Sequence, residues 1–212
     1  MPSFILNRVA RFLQCGPYRF DAWDRAWIVA EGVPGETAGE PVTARAALRW
    51  LCREGGARAL PVAVIGSRTA NGTQLESAEA LGRGLADLGV PLLTGGKTGV
   101  MEAASRGAFQ AGGLTIGFIP DEGWRGANPY VSLPLATGLG PARNVLIARS
   151  AEALIAVGGG YGTLSEMAFG MQFNKPVFSL CDAPGMPGVT ACTGVEDCLD
   201  RVAEALLGCP SS

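Results

Sequence analysis

From residue 60 onward, short uncharged runs alternate with longer stretches whose apolar residues recur at helical spacing. PVAVIG at 61–66 reads as a strand and is followed by polar Ser67, Arg68 and Thr69. Leu75, Ala78, Leu81, Leu85 and Leu88 then keep one apolar face until Gly89, a helix with its stop. Residues 90–94 predict a second strand, 95–99 a turn, and 100–111 a helix closed by Gly112 and Gly113. LTIGFIP at 114–120 predicts a third strand. It ends on Pro120, which has no N–H to give to a ladder. A polar loop at 121–129, carrying Trp124 and Arg125, is positioned to cover a site, and 130–136 alternates like a fourth strand. Pro141 suits the first turn of a helix running to about Ser150, and ALIAV at 153–157 suits a central strand buried on both faces. Glycines 158, 159, 160 and 162 follow. A helix over 164–173, a strand over 176–180, a Pro/Gly loop over 182–194 and a last helix over 195–207 complete the chain. This alternation predicts an α/β fold: an open, mostly parallel sheet flanked by helices on both faces.

Residues 1–58 do not continue the alternation. They hold three of the four Trp (Trp23, Trp27 and Trp50) and eight of the fifteen Arg, with a helix-like stretch at 43–54. The expectation is an appended, partly helical N-terminal segment, with 59–212 forming the α/β domain. So much aromatic surface needs burial, on that domain or against a second subunit.

Composition narrows the chemistry. At 212 residues one core is expected. A net charge of -2 leaves no global positive field to hold nucleic acid, so any phosphate site must be local. The absence of His excludes a Ser-His-Asp triad and leaves carboxylates, Arg, backbone amides or a thiol to do chemistry. Cys15, Cys52, Cys181, Cys192, Cys198 and Cys209 never fall at C-x-x-C spacing. They read as reduced thiols of a cytoplasmic protein. No apolar run reaches membrane-spanning length, so no membrane partner is expected.

Three turns are candidates for phosphate. In ALIAVGGGYGTLSE at 153–166, glycines join a buried strand to a helix whose first amides are free to meet an anion. Gly159, Gly160, Tyr161, Gly162 and Thr163 are the candidate ligand-binding residues there. Glu166 either completes a capping box or projects a carboxylate into the cleft. GGKTG repeats the arrangement after an earlier strand, with Gly95, Gly96, Lys97, Thr98 and Gly99 as candidates. It is not a Walker A loop, because Pro91 stands where that spacing requires glycine. Gly66 and Ser67 end the first strand in a third such turn. Ligands of open α/β sheets gather at strand carboxyl ends, so the three turns are expected to face one crevice. Arg143 and Asn144 open the helix before the glycine-rich strand. A guanidinium there can hold phosphate, or it can form an ordinary surface ion pair.

Together these residues resemble the Lonely Guy family and its relatives, long labelled possible lysine decarboxylases, which carry a PGGxGTxxE motif with an Arg upstream. Here the motif reads GGGYGTLSE with Glu166, Arg143 stands in the matching place, and the likeness extends over most of 61–207. The resemblance implies a Rossmann-like fold, a homodimer and no required metal or cofactor. It also implies hydrolysis of the N-glycosidic bond of nucleoside 5'-monophosphates, with Arg143 and Glu166 as catalytic residues. The enzymes usually carry Arg-Lys where this chain has Arg143-Asn144, and Pro where it has Gly158. The version here is similar to a branch that includes molybdenum-cofactor carrier proteins, which implies the alternative of a non-catalytic carrier or sensor with that cofactor as cargo. Either way the expected partner is a small nucleotide or pterin phosphate.

Overall fold

The computed structural model describes residues 4–30 and 39–210. Five short strands come first: β1 (Phe4–Asn7), β2 (Phe12–Cys15), β3 (Tyr18–Asp21), β4 (Ala26–Val29) and β5 (Glu40–Val42). They pair antiparallel in the order β4-β3-β2-β1-β5, and α1 (Ala44–Arg53) follows. Among the described residues of this N-terminal segment a five-stranded sheet is the main element and α1 the one helix. Residues 1–3 and 31–38 of that segment lie outside the described residues. One face of the small sheet buries Phe4, Leu6, Leu13, Cys15 and Phe20 in the same apolar core as Trp50 of α1 and the larger sheet. The segment is thus a layer of the molecule. Trp27 meets Phe20 edge-on at 5.0 Å, and its Nε1 donates to the Leu207 carbonyl at 2.6 Å.

A disulfide joins Cys15 to Cys209 across 194 positions, with Cα atoms 6.5 Å apart. This corrects the expectation of six reduced thiols. The pair is created by the fold, which lays the end of β2 beside the residues after the last helix, and no local spacing announces it. Closing so long a loop restricts the unfolded chain by about 5 kcal/mol in the chain-entropy account. An address argued from reduced thiols loses that support. No helix among the described residues is long and apolar enough to cross a membrane.

The larger sheet follows the predicted alternation. β6 (Val62–Gly66), α2 (Gly72–Leu88), β7 (Leu92–Thr94), α3 (Val100–Gln110), β8 (Thr115–Ile119) and β9 (Leu133–Ala136) lead to α4 (Asn144–Ser150). β10 (Ala153–Val157), α5 (Tyr161–Gln172), β11 (Val177–Leu180), β12 (Thr190–Ala191) and α6 (Val195–Leu207) complete the chain. Seven strands run parallel in the order β12-β11-β10-β6-β7-β8-β9, a Rossmann-like α/β sheet. All five β10 residues are buried, because helices cover both faces. Ile155 and Val157 join the core formed with α2, α3 and α6, while Leu154 and Ala156 pack with Ile147 of α4 and Met167 of α5. Asn71 caps α2 in a reciprocal pair with Gln74, and Gly89 ends it at φ 77°.

Several boundaries moved, β7 and β9 starting two and three residues later than expected. The helix expected from Pro141 divides into a 3-10 turn at Gly140–Arg143 and then α4. The helix expected from Leu164 begins at Tyr161, and β12 lies inside the expected loop at 182–194. From β6 the chain builds β7, β8 and β9 to one side and then crosses to β10, β11 and β12 on the other. Connections therefore diverge between β6 and β10. A crevice opens at the carboxyl ends of the strands where they part.

Candidate functional site

At that divergence lies a cleft of about 530 Å³, within the size range of small-molecule sites. Gly66 and Ser67 enter it from the end of β6, Arg143 and Asn144 from the start of α4, and Gly160, Tyr161, Gly162, Thr163 and Glu166 from α5. The sequence therefore marks residues from three separate segments that share one cavity. Arg68, Met101, Pro120, Asp121, Gly140 and Pro141 complete the wall.

The N-terminus of α5 is open. No side chain caps it, and the first backbone bond across its start runs from the Leu164 N–H to the Gly160 carbonyl at 2.9 Å. The amides of Tyr161, Gly162 and Thr163 precede that bond and carry the positive end of the helix dipole. The capping box considered for Thr163 and Glu166 does not form. Asn144 ties α4 to this turn: its Nδ2 donates to the Ser165 hydroxyl at 2.9 Å, which donates to the Gly162 carbonyl at 2.7 Å.

Arg143 and Glu166 are buried, with 6% and 7% of their surface exposed. The Arg143 guanidinium gives Nη1 to the Phe118 carbonyl at 2.6 Å, while its Nε, shut off from solvent, has no partner among the described residues. A buried donor without an acceptor costs free energy. Gly95 makes this burial feasible. A Cβ there would come within 2.4 Å of Nη1 and 2.7 Å of Nη2, so any side chain would displace the guanidinium. Burial lowers the proton affinity of Arg143, Glu166 opposes that shift, Arg68 adds to it, and Asp121 opposes it. The group nonetheless stays charged. Burial likewise pushes the Glu166 carboxyl up from its ordinary 4.5 to about 8, with Arg143 pulling the other way. Burial therefore favours the protonated form of Glu166.

The residues of the GGKTG turn do not line this cleft. The Gly96 N–H goes to the Thr94 hydroxyl at 3.0 Å, and the Val100 N–H, just after Gly99 at the start of α3, goes to the Ser67 carbonyl at 3.1 Å. Lys97 binds the Asp121 carboxylate and donates to the Gly126 carbonyl at 3.0 Å. With Thr98 it lines a neighbouring pocket of about 430 Å³ that shares only Arg68 with the cleft. Gly95 serves beneath Arg143, and Gly159 stands behind the cleft wall against Thr163. Of the residues sequence reasoning passed over, Arg68 adjoins the Ser67 turn and Asp121 follows the carboxyl end of β8. The strand-end rule that singles out the glycine turns would have found both.

The model of the SLOG cluster4 family matches residues 59–198. A curated relative from Archaeoglobus fulgidus, described as an uncharacterized protein, is 40% identical over 121 residues, which make up 57% of this chain and 80% of that one. Among solved structures, the molybdenum cofactor binding protein of the phototrophic bacterium Rippkaea orientalis is 36% identical at a TM-score of 0.65, covering 68% of this chain and 96% of that one. The molybdenum cofactor carrier protein of Chlamydomonas reinhardtii is 35% identical at a TM-score of 0.64, covering 70% of this chain and 99% of that one.

Proposed function

Because this chain belongs to the SLOG cluster4 family, we propose that its cleft binds the phosphorylated pterin of the molybdenum cofactor and carries it as cargo without turnover. One observation carries the reading: the buried Arg143 guanidinium lines a cleft that also holds the open start of α5. A phosphate at that place accepts from the guanidinium and from helix-terminal amides together. Glu166, kept protonated by burial, adds a donor where an ionised carboxylate would repel the dianion. The likeness to cofactor-binding proteins over nearly their whole length supports the pterin as the group that follows the phosphate. The homodimer implied by the family resemblance belongs to the same proposal, supported by Leu133 and Leu135, which stay exposed on the terminal strand β9.

A second reading, hydrolysis of a nucleoside monophosphate, is favoured by one feature: Glu166 lies in the same cleft as Arg143. Its carboxylate would face an oxocarbenium-like ribosyl centre. That role needs the ionised form, which burial disfavours at neutral pH. One purified sample separates the readings. Protein from a host that makes the cofactor is oxidised with acid and iodine and assayed for fluorescent pterin, while a second portion is incubated with AMP, GMP and CMP. The carrier reading expects near-stoichiometric pterin and no free base. Free base released over many turnovers, or protein devoid of pterin, overturns it.

A further inference from the structure

Asp121 is the wrong sign for a site built to hold phosphate, yet it lines the same cleft as Arg143 and the start of α5. Its carboxylate is held from one side. Lys97, with only 17% of its side chain exposed, pairs with Oδ2 while donating to the Gly126 carbonyl. Gly126 leaves room for this arrangement, since a Cβ there would approach Oδ2 to 2.3 Å and the Lys97 Nζ to 2.8 Å. The side chain of Asp121 remains half exposed, and Oδ1 accepts no hydrogen bond among the described residues. A fixed carboxylate with a free oxygen takes donors only.

We infer that Asp121, propped by Lys97, reads the heterocycle of the ligand and selects the 2-amino-4-oxopyrimidine edge shared by pterins and guanine. That edge offers two adjacent N–H donors to one carboxylate. Adenine offers one amino donor beside a ring nitrogen whose lone pair the carboxylate repels. The inference rests on the phosphate reading of the cleft, because the phosphate end fixes which part of the ligand reaches Asp121. A site built around a hydrogen-bonded edge rejects the analogue that leaves its polar group unpaired.

Calorimetric titration of the purified chain with ribose 5-phosphate, GMP and AMP tests it. GMP is expected to bind at least about tenfold more tightly than AMP, the worth of one hydrogen bond to a charged group. Asp121→Asn should turn the preference toward AMP, because a carboxamide matches the acceptor–donor edge of adenine. Ribose 5-phosphate should bind this variant and the wild type alike. Equal GMP and AMP affinities in the wild type, with ribose 5-phosphate still bound, overturn the inference and leave the phosphate reading standing. Failure of the wild type to bind any of the three removes both.

Discussion

Arg143→Met is expected to weaken phosphate binding on the order of 100-fold, as loss of charged hydrogen bonds worth about 1.5–3 kcal/mol each implies. The unliganded protein should be as stable as the wild type or more so. In the fold the guanidinium is buried, burial works against its charge, and Nε has nothing to bond. Its hydrogen bond to the Phe118 carbonyl offsets part of that cost. Replacing a poorly satisfied buried ion by an apolar group of similar length is often neutral or stabilising. Titration calorimetry with ribose 5-phosphate and thermal unfolding of the same two proteins check both halves. Loss of binding together with a large loss of stability would make Arg143 a structural residue.

The second large effect is a pH dependence that runs opposite to that of most carboxylates. Glu166 holds its proton in the fold up to about pH 8 but releases it in the unfolded chain near 4.5. Between those values the folded state carries the extra proton, so stability falls as pH rises. The contribution is whole below pH 4.5 and is lost progressively toward pH 8. At about 1.4 kcal/mol for each tenfold difference in proton affinity, the loss is on the order of 5 kcal/mol. Glu166→Gln removes the ionisation. The two proteins should melt together at pH 4.5. By pH 9 the variant should melt on the order of 10 °C higher, given the shift expected per kcal/mol for a chain of this size. In the wild type, phosphate affinity should also decline as pH rises through about 8, and the variant should lack that decline. Parallel melting curves across this range would place the Glu166 carboxyl in contact with water.

Much of this account can be read along the chain, and the parts that cannot have physical reasons. β10 is legible because five uncharged residues in a row suit only a strand covered on both faces, and the glycines after it mark the open start of α5. The N-terminal sheet is not legible, because its strands are three or four residues long and two of their turns hide their signal. Arg11 and Arg25, not glycine, take the positive φ there, at 54° and 51°. The GGKTG turn misleads for a different reason. Nothing in its own residues reveals that the Ser67 carbonyl occupies the Val100 amide, or that Asp121 occupies Lys97. Asp121 and the Cys15–Cys209 pair share that property, since their partners lie 24 and 194 positions away. Local pattern finds the donors of a site. Only the folded chain decides which of them are already spent.

The central claim is that an anion binds the Arg143 guanidinium at the start of α5, and nitrogen-15 NMR of the wild-type protein reads the Nε–H of that group. The Nε–H resonance of Arg143, assigned by its absence in Arg143→Met, should move saturably with added ribose 5-phosphate. The amides of Tyr161, Gly162 and Thr163 should move with the same midpoint. An Arg143 Nε–H signal that stays in place while the ligand binds and shifts resonances elsewhere would contradict the account.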